Sequence, residues 1–481
     1  MNVTTPDWVK DAIFYQIFPD RFALSARVDK PHNLETWDAP PTTYGFKGGD
    51  LLGVVEHLDY LQDLGINAIY FCPIFQSTAN HRYHTHDYFQ VDPILGGNAA
   101  FKTLLDEAHR RGIRVIIDGV FNHASRGFYQ FNHTLENGAA SPYRDWFTFR
   151  EFPVRAYSEP INYEAWWGIP ALPKFNTKNP QVREFIFRVA EYWVRQGIDG
   201  WRLDVPGEID DDEFWREFRR RVKAVNPDAY IVGEIWHRAD RWLQGDQFDA
   251  VMNYQFTRAC LEFFIDDLNH AIAQESSYGS IRPISADEFS RTLGDLLTWY
   301  PGEITQAQMN LLDSHDTARL ITIARGDVSA LRLSLLTMFC YVGAPTLYYG
   351  DEIALEGAQD PDSRRGMIWQ PGTRGVEMIE FVKRLTALRK KYTALRRGKM
   401  TALYASGKVF AFARHLPGAE TILVAINAGR EPVTLDLRVE HLLNNGDHLI
   451  EEWSHTETIV EENYARGIRI APRDAAIWIA Q

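Results

Sequence analysis

Short apolar runs alternate with amphipathic helical stretches over most of the chain. Residues 12–18 read as a strand, and Leu51, Val54, Val55, Leu58, Leu61 and Leu64 follow at helical spacing. Further strand runs fall at 67–71, 113–117, 199–204, 230–234, 250–253, 308–312 and 345–349, with helical patterns between them. The clearest helix carries Val182, Phe185, Ile186, Val189, Ala190, Trp193 and Val194 behind an Asn179-Pro180 cap. Eight strand runs, each followed by a helix, predict a (β/α)8 barrel over residues 1–122 and 177–395. The alternation pauses at 123–176, an aromatic and irregular stretch that reads as an inserted domain after the third strand. From about residue 396 the texture changes to period-two runs at 402–404, 409–414, 421–427, 433–437, 448–452 and 468–470, broken by Pro417-Gly418 and Asn444-Asn445-Gly446. This predicts a C-terminal antiparallel β-sandwich over 396–481.

Composition narrows the function classes. The 481 residues carry a net charge of −13 and no basic runs, which disfavours nucleic acid and anionic membranes as partners. Cys72, Cys260 and Cys340 are widely spaced in apolar stretches, so neither a disulfide framework nor a zinc site is expected. Residues 1–15 lack the basic flank and apolar core of a signal peptide, and the apolar run 333–349 is broken by Gly343 and Pro345. The expected location is the cytoplasm. Aromatics reach 13% of the chain. Most serve the core, but rings beside carboxylates also suit stacking on sugar faces.

A barrel of this kind works at the C-terminal ends of its strands. The third run ends in Asp118-Gly-Val-Phe-Asn122-His123, the fourth in Arg202-Leu203-Asp204 and the fifth in Gly233-Glu234, while the seventh is followed by Ser314-His315-Asp316. Carboxylates converging on one rim suit glycoside hydrolysis, which needs a carboxylate nucleophile and a carboxylic acid to protonate the leaving oxygen. Asp204 and Glu234 end neighbouring strands ~4.8 Å apart, close to the ~5–5.5 Å of a retaining pair. Arg202, two residues before Asp204 on the same face, is expected to keep Asp204 ionised, while Glu234 needs a raised pKa.

These four segments resemble the four signature regions of the α-amylase family, glycoside hydrolase family 13. By that resemblance Asp204 is the nucleophile, Glu234 the acid/base and Asp316 the stabiliser of the transition state. His123, Arg202 and His315 surround the sugar at the cleavage site, and Asp118 supports Arg202. His81-Arg-Tyr83 is similar to the family stretch whose Tyr83 equivalent stacks on that sugar. Leu172-Pro-Lys-Phe-Asn176 resembles the signature of neopullulanases, cyclomaltodextrinases and maltogenic amylases, as do Trp166-Trp-Gly168, Gly233-Glu-Ile-Trp236 and Asp360-Pro-Asp-Ser-Arg-Arg365. In this group Trp236, Asp362 and Arg365 fall on substrate contacts, with core packing the alternative for Trp236 and a loop salt bridge for the pair.

The resemblance implies an α-glucan oligosaccharide substrate and no required cofactor. Calcium stays open: Asn122 matches a family ligand, but Glu208 stands where classical amylases offer a His carbonyl, and no metal ligand is assigned. Members of the group usually carry an N-terminal β-sandwich that shapes a dimer, whereas the first barrel strand begins here almost at once, which leaves a homodimer open. The expected activity is retaining cleavage of α-1,4, with some α-1,6, bonds in small linear or cyclic maltooligosaccharides. An α-amylase, α-glucosidase or transglycosylase would use the same triad. A catalytically dead binding protein would have lost one of Asp204, Glu234 and Asp316, and all three are present. Tyr157, Tyr163, Trp166 and Trp167 are expected to make the insert a rigid wall of the cleft.

Overall fold

The computed structural model describes residues 3–276 and 278–480. Ten strands precede residue 350: β1 (Phe14–Ile17), β2 (Ala68–Phe71), β3 (Phe75–Ser77), β4 (Thr85–Val91), β5 (Arg114–Gly119), β6 (Gly200–Leu203), β7 (Tyr230–Gly233), β8 (Ala250–Val251), β9 (Met309–Asn310) and β10 (Ala344–Tyr348). All but β3 and β4 form one parallel sheet in the order β8-β7-β6-β5-β2-β1-β10-β9, and a parallel bridge between Met252 and Met309 joins its ends. The barrel therefore follows chain order, and all eight predicted runs contribute a strand. β1, β2, β6, β7 and β10 are buried at every residue, which is why they read as apolar runs without alternation. Register sets Asp118 beside Arg202 and Leu203 beside Gly233, so the residues after β6 and β7 emerge together at one rim. Gly200 permits this approach, since a Cβ there would lie 2.2 Å from the Tyr230 carbonyl oxygen.

The helix Pro180–Gln196 matches its prediction. Asn179 caps the Gln181 amide, Gly197 ends the helix at φ 110°, and Val182, Ile186, Val189, Ala190 and Trp193 are buried. One element has no counterpart in the sequence reading. The antiparallel pair β3–β4 follows β2 directly and holds residues 81–83 in its loop over the rim.

The insert is folded on itself by the bridges His123–Lys174, Phe147–Phe175 and Phe149–Tyr163, the first of which closes it where the chain leaves the barrel. Its interior is aromatic: Phe131 meets Phe147 and Tyr163 edge-on, each at 5.0 Å. Tyr163 is thus core, its hydroxyl donating to the Pro170 carbonyl. Tyr157 is exposed, with the Arg126 guanidinium 4.5 Å over its ring. Much of the aromatic content serves packing.

The C-terminal region has eight antiparallel strands where six were predicted: β11 (Lys399–Ser406), β12 (Val409–His415), β13 (Thr421–Asn427), β14 (Val433–Arg438), β15 (His448–Glu451), β16 (Glu457–Glu461), β17 (Tyr464–Ile470) and β18 (Asp474–Ala480). They run β11-β12-β13-β18-β15-β16-β17-β14 and enclose a second core that includes Leu423, Leu437, Ile468 and Trp478. Arg414 of β12, wholly buried, joins this region to the barrel by donating to the carbonyls of Cys340, Tyr341 and Gly398. The three cysteines are buried and unpaired. Among the described residues, no helix is long and apolar enough to cross a membrane.

Candidate active site

Asp118 is the next-to-last residue of β5, Arg202 lies within β6, Asp204 and Glu234 follow β6 and β7, and His315 and Asp316 lie beyond β9. All stand on the C-terminal rim. Arg202 is the hub. Its Nη1 donates to both oxygens of Asp118 at 3.0 Å and to Asp204 Oδ1 at 3.2 Å. Its Nη2 lies 3.1 Å from Glu234 Oε2, an ion-pair contact out of line for a hydrogen bond. One guanidinium thus spans the two carboxyl groups. Glu234 also accepts from the Val205 amide at 3.0 Å and from Trp236 Nε1 at 3.1 Å.

A second chain of contacts reaches Asp118 from the other side. Gln16 Nε2 lies 2.8 Å from His315 Nδ1, and His315 Nε2 lies 2.5 Å from the Tyr83 hydroxyl, which donates to Asp118 Oδ2 at 2.9 Å. With the Gln16 amide assigned this way, Nδ1 of His315 accepts and Nε2 carries the hydrogen. The Tyr83 and His315 rings are parallel within 3°, with centroids 5.4 Å apart. Tyr70 adds a further donor to Asp118.

Burial sets the charges. It raises Asp118 to about 6 against the pull of Arg202, and it raises Glu234 and Asp316 as well. Asp204 is pushed well above the usual carboxylate range, by burial first and then by the negative charge of Glu234. The sequence reading paired Arg202 with Asp118, as found, but also expected it to keep Asp204 ionised while Glu234 alone rose. In the structure both move up, because burial outweighs the pull of Arg202 on each of them. The imidazoles are neutral: burial drives His81 and His315 well below their ordinary value and His123 to about 3.

The other predicted residues distribute unevenly. His81 accepts from the Tyr83 amide at 3.1 Å and so shapes the loop that carries that ring. His123 is buried beside Asn122, its ring stacked on Trp166 at 5.3 Å. Trp236 stacks on Tyr254 at 3.6 Å while bonding Glu234, so it braces a carboxyl. Asp362 and Arg365 form a two-pronged ion pair with each other, both bonds 2.8 Å. The adjacent Arg364 is the one that faces the site, with Nη2 3.4 Å from Asp316 Oδ1 and Nε donating to the His315 carbonyl. Sequence reasoning missed Arg364, Gln16 and the Val205 amide. For Arg364 the signal lay one residue from the one chosen.

The residues present do not fit a calcium cage. Asn122 Oδ1 is buried without a partner, but Glu208 is turned to Lys174 Nζ at 3.1 Å. Among the described residues, no three His, Cys, Asp or Glu side chains gather as metal ligands, whereas calcium takes six to eight oxygens.

Residues 16–397 match the family described as alpha amylase, catalytic domain, and 400–479 match the neopullulanase-like C-terminal domain. A cyclomaltodextrinase of Geobacillus thermopakistaniensis is 47% identical over 450 residues, covering 91% of this chain and 73% of that protein. Neopullulanase 2 of Thermoactinomyces vulgaris is 45% identical over 437 residues, covering 90% and 72%. The native debranching enzyme of Nostoc punctiforme superposes with a TM-score of 0.91 at 48% identity, covering 99% of this chain and all of that one. The chain belongs to the α-amylase family of glycoside hydrolases.

Proposed function

We propose that this protein hydrolyses α-1,4 bonds in small linear or cyclic maltooligosaccharides, with retention of anomeric configuration. Asp204 attacks the anomeric carbon and forms a glucosyl-enzyme ester. Glu234 delivers its own proton to the leaving oxygen, then removes one from the incoming water. Asp316 stabilises the positive charge that develops on the sugar ring. The observation that supports this reading is the single Arg202 guanidinium touching both Asp204 and Glu234, since a double displacement uses two neighbouring carboxyls. The mechanism requires Asp204 as the carboxylate and Glu234 as the carboxylic acid, and the upward shift that burial gives Glu234 favours its acid form.

The names of the cyclomaltodextrinase and neopullulanase relatives support the substrate class, and the debranching enzyme of Nostoc punctiforme supports α-1,6 cleavage as a second specificity on the same residues. A cytoplasmic location fits the three buried thiols. A homodimer is read from the mass in solution. Chromatography of products from β-cyclodextrin, maltotriose, pullulan and starch, with one preparation, tests the proposal. Ring opening of the cyclodextrin and a first-formed α-anomer by NMR are expected. An initial β-anomer overturns retention, and a clear preference for starch moves the substrate to long polymers.

A further inference from the structure

Of the fourteen tryptophans, Trp167 alone is largely exposed, at 78%. It sits in the insert's rim-facing turn, between Ala165, which bridges Pro173, and the segment 172–174, which bridges back to His123. One face of its indole is covered. Trp166 lies beneath it, with centroids 4.4 Å apart and planes 15° from parallel. Trp166 in turn stacks on the buried His123 at 5.3 Å and 16°. Three near-parallel rings therefore rise from beside the catalytic cluster to the surface, and the outermost presents a bare face.

The backbone holds that ring at a cost. Trp167 has φ 50° and ψ 20°, and Gly168 continues the left-handed path at φ 72°. A bulky side chain in this region is uncommon. Strain of this kind, coupled to exposure of a large apolar ring, points to a contact made outside the folded chain.

We propose that the outer face of Trp167 is a sugar-binding platform, on which the apolar face of a glucosyl unit stacks when the substrate extends beyond the cleavage site. This rests on the reading of the protein as a maltooligosaccharide hydrolase. The ladder explains the two-residue motif. Trp166 sets the plane, and His123, four residues beyond β5 and bridged to Lys174, sets where the ladder starts. An indole loses little freedom on binding, and its flat face matches a pyranose ring and tolerates either a linear chain or a curved cyclic one.

The test is kcat/KM on maltotriose, maltotetraose and maltohexaose, and on β-cyclodextrin, for the wild type, Trp167→Ala and Trp167→Phe. The loss in Trp167→Ala is expected to grow with chain length, from under about two-fold on maltotriose to about ten-fold on maltohexaose, the size of one aromatic contact. It falls on KM more than on kcat, and Trp167→Phe recovers most of it. Equal losses at every length, or none, overturn the platform. A changed mass in solution together with equal losses assigns the face to a second copy of the chain and also overturns it. If the wild type cleaves none of these sugars, the underlying functional reading fails; if it cleaves them and Trp167→Ala shows no length dependence, only the platform fails.

Discussion

Val205 donates its backbone N–H to Glu234 Oε2, 3.0 Å away, from a left-handed conformation with φ 34° and ψ 51°. A β-branched residue pays ~1–3 kcal/mol to stand there. The turn follows Asp204 directly, so the strand that presents one carboxyl also bends to grip the other.

Val205→Gly separates this strain from its use. Relief of the strain, offset by the ~0.5–1 kcal/mol of extra unfolded-chain entropy that glycine brings, leaves Tm unchanged or slightly higher. The loosened amide then holds Glu234 less firmly, and kcat should fall several-fold with KM nearly constant. Unchanged kcat would show that Glu234 needs no such grip.

The barrel was legible because parallel strands buried on both faces leave apolar runs, and because Asp118, Asp204 and Glu234 stand at or just past the ends of their strands, with Asp316 in the turn beyond β9. The same rule hid β18. Within Asp474–Ala480 the run 475–479 is continuously apolar and buried, without the alternation expected of a sandwich strand. β16 failed for the opposite reason, since Glu457-Thr-Ile-Val-Glu461 buries only Val460. The β3–β4 pair shifts register at Gln76, which breaks its periodicity. Among site residues, Arg364 and Arg365 are alike in sequence. Only packing decides between them, with Arg364 buried over the Phe18 ring at 5.2 Å and Arg365 turned to Asp362. Gln16 is a lone amide in an apolar strand, and nothing in the sequence marks it as the partner of a histidine nearly three hundred residues away.

Asp204→Asn removes the attacking charge and keeps the shape. A barrier raised by ~4 kcal/mol or more lowers kcat about a thousand-fold. The same change takes one carboxyl from a crowded buried cluster, so Tm should rise. Loss of activity with a fall in Tm would mean that the variant damages the fold and says nothing of attack; wild-type turnover would remove Asp204 from the mechanism.

Trp236→Phe tests how Glu234 is tuned. The indole N–H bond favours the Glu234 anion, while stacking on Tyr254 is shared by either ring. Without the donor the Glu234 pKa goes up. The alkaline limb of the kcat/KM profile should move to higher pH by about 0.5–1 unit, the equivalent of a hydrogen bond worth ~0.5–1.5 kcal/mol. A limb that stays in place, or moves down, would mean that another group controls it.

Arg414→Met probes the joint between the barrel and the C-terminal strands. The stem is kept, but the Cys340 and Gly398 carbonyls lose this donor, at ~1–3 kcal/mol each if water cannot reach them, and Tyr341 keeps only a 3.5 Å bond from Arg389. Two of the carbonyls, Cys340 and Tyr341, precede β10, on the barrel face opposite the rim acids. Thermal unfolding should drop by several degrees, with kcat at 25 °C preserved. Equal loss of both would tie the joint to the site.

His123 makes stability sensitive to acid. Burial lowers its folded pKa to about 3, whereas the unfolded chain carries an ordinary histidine near 6.5. Above pH 6.5 both states are neutral, and the stabilising contacts of the buried ring are fully present. As pH falls from 6.5 toward 3, the unfolded state takes up a proton that the folded state refuses, so stability declines through that window. His84, lowered to about 4 by burial, adds to the decline, while Asp118, raised to about 6, opposes it below that pH. The slope of Tm against pH therefore sums several groups, and only its change on substitution isolates His123. His123→Gln should lower Tm at pH 7, because the stack on Trp166 is lost, and should make the fall between pH 6.5 and 4 shallower. A variant that starts lower and keeps the wild-type slope would show that His123 does not resist protonation, and the neutral imidazole drawn here beside the catalytic cluster would have to be abandoned.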